Sequence, residues 1–170
     1  MSKINNILKY QNGYQNLPSF DDVIHELITY KRKVSHWIWY IIPYHKDSIS
    51  HGNKFTLSPT DIELYAKNSY LRNNYIFILL LIEKHLKDLQ IHQYSKYMSE
   101  IDLQKVYESA IVFKKYSKNS SIKYACNEIL KCLLPYIEKK NQQYTCKKCG
   151  YSTTNKDKYT NHQNRKTSCT

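Results

Sequence analysis

At 170 residues, with 41% hydrophobic side chains, 17 tyrosines and a formal net charge of +12, the chain is long enough for one ordinary domain and a small appendage. Three glycines and four prolines are too few for a turn-rich β-sandwich, and neither a G-x-G-x-x-G fingerprint nor a P-loop occurs. The region after Met1 lacks the apolar stretch of a signal peptide, and the most hydrophobic run, Ile76 to Ile82, is far shorter than the ~20 residues that span a bilayer. The expectation is a soluble, intracellular protein with no membrane partner.

In chain order, residues 1–17 read as an N-terminal extension and residues 18–135 as an all-helical domain. Ser19 with Asp22 is a cap-like start, after which Phe20, Val23, Ile24, Leu27 and Ile28 make one apolar face. Ser58-Pro59 places a capping residue before a proline at the first helical position. Tyr70 to Leu89 predicts a long buried helix around the Ile76–Ile82 run. From Ser99 on, Leu103, Val106, Ala110 and Phe113 recur at helical spacing, and Ile122, Cys126, Ile129 and Leu133 repeat the pattern until Pro135. Cys126 and Cys132 lack a C-x-x-C spacing and read as small residues packed in this last helix. Residues 136–143 form a linker or a helical extension.

Between the first two helices lies Lys31-Arg32-Lys33-Val34-Ser35-His36-Trp37-Ile38-Trp39-Tyr40-Ile41-Ile42-Pro43, which holds both tryptophans of the chain. Trp37 and Trp39 share a face if the segment is extended and diverge if it is helical. Two readings stay open. The tryptophans wedge helices together with His36 as a hydrogen-bonded neighbour, or they line a pocket in which aromatic faces take a ring, His36 makes a polar contact or moves a proton, and Arg32 or Lys33 meets an anion.

Residues 144–170 carry the most specific pattern, C-x2-C-x12-H-x6-C, made by Cys146, Cys149, His162 and Cys169. Two thiols on a knuckle reach one ion, a helical turn brings an imidazole to it, and the returning chain supplies a third thiolate. Soft sulfur and borderline nitrogen in a set of four suit tetrahedral Zn²⁺. So short and polar a segment cannot bury enough apolar surface to fold unaided, so metal binding would drive its folding. Gly150 supplies the permissive backbone of the knuckle, and Tyr159, three residues before His162, can cover the metal. The alternatives are unligated thiols in an unstructured tail, or a disulfide, which a reducing interior disfavours.

Charge is uneven. Residues 139–170 carry eight Lys or Arg and one acid, Asp157, a net of +7, which leaves +5 on residues 1–138. Such a tail favours a polyanionic partner, DNA or RNA, through release of condensed counterions.

Two resemblances add to this. Residues 144–170 resemble the ββα zinc finger in which cysteine replaces the last histidine, in the form with an H-x-x-R-K-x-x-C tail that recurs in proteins of giant DNA viruses; here it reads His162-Gln163-Asn164-Arg165-Lys166-Thr167-Ser168-Cys169. Thr153 stands where the core Phe is usual, with Tyr151 as substitute, and Tyr159 stands for the core Leu. The final spacing is longer than in common fingers, so the helix should end soon after His162. The resemblance implies that Asn155, Lys158 and Asn161 face bases and that Lys147, Lys148, Lys156, Lys158, Arg165 and Lys166 meet phosphates. The second resemblance is to the family called domain of unknown function 1810, whose signature approximates G-[RK]-K-x-S-H-W-x-W-[FY]-x-F-P-Q. Arg32, Lys33, Ser35, His36, Trp37, Trp39, Tyr40 and Pro43 match it, and Asp102, Lys105, Ser109, Val112 and Phe113 match a second family stretch. Lys31 replaces the motif glycine, Tyr44 the glutamine and Glu108 a serine. This implies a single all-α domain over residues 18–135, and no activity.

Three functions of different class follow. The first is a zinc-binding adaptor that docks on nucleic acid, and the third is a module that binds a protein partner. The second is a ligand-binding or enzymatic domain around Arg32, Lys33, Ser35, His36, Trp37, Trp39, Asp102 and Lys105. An enzyme is the less expected outcome, since no nucleophile–base pair is visible and four protein ligands leave zinc no position for water.

Overall fold

The structure, a computed structural model, describes residues 2–43 and 55–165. Tyr44, Lys166 and Cys169, singled out above, lie outside the described residues. The chain divides into two compact units, residues 1–134 and 135–170. The first is helical. Its elements are α1 (Lys3–Gln11), α2 (Phe20–Tyr30), the single turn α3 (Ile38–Ile41), α4 (Pro59–Lys67), α5 (Ser69–Lys87), α6 (Tyr94–Tyr97) and α7 (Glu100–Tyr116), and α8 runs Ser120–Asn141.

Local chemistry sets the helix starts. Ser19 and Ser58 each accept from the backbone N–H three residues on, while Asp22 and Asp61 reach back to the serine N–H, closing capping boxes on α2 and α4. Ser99 caps α7 by accepting from Asp102 N–H at 3.2 Å. On α2, Phe20, Val23 and Leu27 are buried as the apolar face predicts, whereas Ile28 is 49% exposed.

Helix α5 organises the core with Leu71, Tyr75, Ile78, Leu79, Ile82 and Leu86, all fully buried and spaced to one face. Across from it, α7 contributes Leu103, Val106, Ala110 and Phe113, and α8 contributes Ile122, Cys126, Ile129 and Leu133. The Phe113 ring stacks on Tyr75 with centroids 4.2 Å apart. Burial pushes the Cys126 thiol up to about 12, in keeping with an inert packing residue.

Three expectations are corrected. The Ile76–Ile82 run is not buried throughout: Ile78, Leu79 and Ile82 face the core, while Ile76, Phe77, Leu80 and Leu81 line an outward groove, and Phe77 is 51% exposed. A continuous apolar run on a helix must present both faces, and beyond an edge contact of Phe77 with Phe20 the outer face is left partly exposed. Pro135 does not end the last helix, which continues to Asn141; proline removes one helical donor, and the residues after it sustain the helix. The segment read as an extension contains α1, which packs on α3 and α4. Its Gln11, fully buried, donates to Tyr40 O at 2.8 Å and accepts from Asn74 Nδ2 at 2.9 Å, tying α1 to α3 and α5.

Helix α2 ends at Lys31, which adopts the left-handed conformation (φ 50°, ψ 31°) and donates its N–H to Leu27 O. The signature that the segment resembles has glycine at this position, and the geometry suits one: a Cβ is strained there by roughly 1–2 kcal/mol. Lys31→Gly is therefore expected to stabilise the protein by a net ~0.5–1 kcal/mol once glycine's greater unfolded-state freedom is subtracted. Urea unfolding of wild type, Lys31→Gly and Lys31→Ala tests this. Alanine keeps the strain, so an alanine variant as stable as the glycine variant would refute it.

Candidate functional site

The signature segment is built on one carboxylate. After the reversal at Lys31, the chain runs back along α2 and delivers four donors to Glu26. Val34 N–H donates to Oε1 at 2.8 Å, Ser35 N–H to Oε2 at 3.0 Å, the Ser35 hydroxyl to Oε2, and Trp37 Nε1 to Oε1 at 2.9 Å. Burial pushes the Glu26 carboxyl up, but the hydrogen bonds from Ser35, Trp37 and Val34 outweigh it and hold it below its ordinary value of 4.5. With its indole N–H anchored, Trp37 is fully buried. The chain then enters α3, which sends Trp39 outward. The two tryptophans thus differ in burial, Trp37 anchored inside before the helical turn begins and Trp39 carried outward on it.

The outward side of the segment lines a cavity of about 380 Å³ with Lys33, His36, Ile38 and Trp39, closed opposite by the start of α7 with its cap Ser99, Asp102 and Lys105. Lys33 Nζ lies 3.1 Å from Asp102 Oδ2, and Lys105 Nζ 3.8 Å from Asp102 Oδ1, with all three side chains at most 14% exposed. Lys33 also sits over the Trp37 ring, 5.3 Å from its centroid, and its backbone N–H donates to Tyr97 O at 2.7 Å. The His36 and Trp39 rings are parallel to within 5°, their centroids 6.4 Å apart.

Of the predicted pocket residues, Lys33, His36, Trp39, Asp102 and Lys105 therefore converge on one cavity. Arg32 is exposed and outside the lining, Ser35 is turned to Glu26, and Trp37 lies beneath the pocket as its support. Glu26 itself escapes sequence reasoning. On α2 it reads as a solvent-side acid, and the only clue is that it follows the apolar Val23 by three residues. A second unforeseen group is His85 on α5, whose Nδ1 meets Tyr97 OH at 3.2 Å and whose Nε2 meets Lys31 Nζ at 3.4 Å. Burial, then the Lys31 charge, pulls its pKa down.

In the second unit, β1 (Tyr144–Thr145) pairs antiparallel with β2 (Ser152–Thr153), Tyr144 opposite Thr153. The knuckle between them is closed by Gly150 N–H to Cys146 O at 2.9 Å and Cys146 N–H to Tyr151 O at 2.8 Å, and Gly150 takes the positive φ of 72° that the turn requires. Helix α9 (Lys156–Gln163) follows, capped by Asn155, whose Oδ1 accepts from Lys158 N–H at 2.9 Å. It ends one residue past His162.

This arrangement gathers Cys146, Cys149 and His162, whose ligand atoms all lie within 4.8 Å of one another. Cys149 Sγ is 3.3 Å from His162 Nε2. A tetrahedral centre with Zn–S near 2.3 Å would set neighbouring donors about 3.5–3.8 Å apart, so the three could hold a metal ion. The ring against the cluster is that of Tyr151, stacked on His162 with centroids 4.4 Å apart, while Tyr159 stacks on Tyr144. Among the described residues from 144 onward only Cys146 is buried. Lys147, Lys148, Lys156, Lys158, Asn161 and Arg165 are exposed, and Asn155's acceptor is committed to the helix cap. Among the described residues no helix is long and apolar enough to cross a membrane.

Residues 4–148 match the DUF1810 family, described as a protein of unknown function, and the chain belongs to that family. The match starts and ends beyond the 18–135 span that the two motifs imply, taking in α1 and stopping before Cys149 and His162. Neither the curated proteins nor the solved structures contain a match to the chain.

If the Glu26 carboxylate orders the signature segment, Glu26→Gln should destabilise the protein by roughly 2–3 kcal/mol at neutral pH, because the buried indole N–H loses a charged acceptor. The depressed pKa means that Glu26's contribution is present above 4.5 and lost as pH falls through its folded value. The stability gap between wild type and Glu26→Gln should therefore close on acidification, read by urea unfolding at neutral pH and below 4.5. A gap independent of pH would refute the charged-acceptor account.

Proposed function

We propose that the C-terminal unit is a zinc-ordered module through which the protein docks on nucleic acid, with the helical unit as its cargo or recruiting part. The observation that carries this reading is the convergence of Cys146, Cys149 and His162 within a module that has almost no apolar core. Two thiolates and an imidazole are the donor chemistry zinc prefers. The sequence spacing nominates Cys169 as the fourth ligand, which would close the coordination shell and make the site structural rather than catalytic. Zinc would supply the folding free energy that packing cannot.

Exposed cations flank the cluster on both arms, Lys147 and Lys148 on the knuckle, Lys156, Lys158 and Arg165 on and after α9. With Lys166 they suit binding to phosphates, which position a protein without reading sequence. Lys158 and Asn161 are the side chains left to touch bases. One finger buries little surface, so base preference would need a partner or a second copy.

Purified, reduced protein is expected to carry about one zinc, and chelation should unfold the strands and helix of residues 144–163 while leaving the helical unit folded. Metal analysis together with far-UV spectra before and after chelation reads both. Binding is tested by titrating wild type and a Lys156, Lys158, Arg165, Lys166 quadruple alanine variant against duplex DNA and single-stranded RNA over a range of salt. Every cation that no longer neutralises a phosphate should lower the salt slope by about 0.9 for the duplex and about 0.7 for the single strand. Salt-insensitive affinity that is equal for both proteins would overturn nucleic-acid docking and leave the module a protein-docking or purely structural element.

A further inference from the structure

We infer that the cavity between the signature segment and the start of α7 is a binding site for a small ring-bearing anion: an aromatic or heteroaromatic ring that carries a carboxylate or phosphate, directly or through a short linker. This goes beyond the proposed role of the C-terminal unit and does not depend on it, since every residue involved lies in the first unit.

Size comes first. At about 380 Å³ the cavity falls within the roughly 300–1,000 Å³ of small-molecule pockets. One side is aromatic. His36 and Trp39 hold their rings parallel to within 5°, so a flat ring laid parallel to one is parallel to the other, the arrangement that offset stacking rewards. Ile38 and Ile101 add apolar wall.

The lining also carries charge. Lys33 and Lys105 both approach the carboxylate of Asp102, so the lining holds two ammonium groups and one carboxylate. An ammonium has three donors, so a lysine that meets Asp102 can meet a second anion as well. Lys33 is fixed in place by its backbone bond to Tyr97 O and by the Trp37 ring beneath it, which pre-organises the charge. A ring on His36 and Trp39 with its anionic group toward Lys33 and Lys105 satisfies both walls at once.

The geometry also fixes the sign of a mutational effect. Asp102 competes with the ligand's anion for the two lysines, so removing its charge should tighten binding of an anion, whereas it would weaken binding of a cation. Stacking on Trp39 supplies the signal, because Trp37 is buried under Glu26 and shielded from the ligand.

The experiment follows tryptophan emission of the full chain titrated with four probes: AMP, nicotinate, adenosine and inorganic phosphate. AMP and nicotinate carry ring and anion; adenosine lacks the anion and phosphate lacks the ring. The expected result is quenching by AMP or nicotinate with an affinity at least about tenfold above that of either partial probe, and the stronger of the two identifies phosphate or carboxylate. Trp39→Phe should abolish the quench while Trp37 emission remains. Lys33→Gln and Lys105→Gln should each weaken binding by about tenfold, and Asp102→Asn should tighten it. Thermal unfolding of each variant checks that it is folded, and a Lys105→Gln variant with native unfolding carries the test if Asp102→Asn or Lys33→Gln is not. Absence of quenching at millimolar concentration, equal affinity for AMP and adenosine, or loss of binding in a folded Asp102→Asn variant would each overturn the inference.

Discussion

A carboxylate cannot leave water without compensation, and Glu26 receives it from a segment that has no regular structure of its own. Residues 31–37 run without helix or strand, so their backbone donors need partners from elsewhere. Glu26 takes Val34 N–H, Ser35 N–H, the Ser35 hydroxyl and the Trp37 indole N–H together. Each side of this exchange depends on the other. Without the donors the carboxylate would carry the desolvation penalty of a buried charge, and without the carboxylate the segment would have several competing paths over α2. The direction in which Trp37 points, and with it the orientation of His36 and Trp39 on the opposite side, follows from this one anchor.

From that anchor the segment reaches α7 at two places. Lys33 joins Asp102 in the first turn, and Pro43 O accepts from the buried Ser109 hydroxyl at 2.7 Å. Seven residues of helix separate the two, about 10 Å or two turns, so the segment lies along α7 between its ion pair and its hydrogen bond. The two motifs of the family are thus halves of a single contact. The first contributes the aromatic wall and one lysine of the cavity, the second contributes the carboxylate and the other lysine. Family membership accounts for the helical unit, while the Cys146, Cys149 and His162 cluster completes itself beyond the matched residues.

What is legible in the sequence is local. The capping boxes at Ser19 and Ser58 and the cap at Ser99 use residues three apart, so they are visible without knowing the fold, and the structure places helices at each. The C-x2-C and distant His are of the same kind: short spacing on a knuckle plus one helix. Of the five pocket residues that do converge, Lys33, His36 and Trp39 are visible in the chemistry of their own segment, whereas Asp102 and Lys105 are visible only through motif resemblance, because the Lys33–Asp102 pairing joins positions too far apart in sequence for any periodic pattern to connect. Glu26 is hidden for the same reason. Its four donors come from the next segment, and nothing on α2 distinguishes it from a solvated acid. The outward half of the Ile76–Ile82 run is unreadable because seven consecutive apolar residues have no period, so hydrophobicity alone names no buried face. Helix α1 is hard to see since its inward face, Ile4, Ile7, Tyr10 and Gln11, is short and ends in a polar side chain whose partners, Tyr40 O and Asn74, lie on other helices.

Ser109 carries a consequence for how such a chain can change over time. Its hydroxyl is shared between Tyr75 OH at 2.9 Å and Pro43 O at 2.7 Å, inside a fully buried environment. Removing the serine hydroxyl alone takes one partner from a buried phenol and the donor from Pro43 O, and removing the phenol alone leaves the serine with one partner fewer. Replacing both by apolar groups of similar shape removes the demand of the hydroxyl pair itself and leaves only Pro43 O in need of a donor. The fitness effect of either substitution therefore depends on whether the other has already occurred. Evolutionary drift through this part of the core is channelled into paired steps, and a lineage that has taken the first is under pressure to take the second.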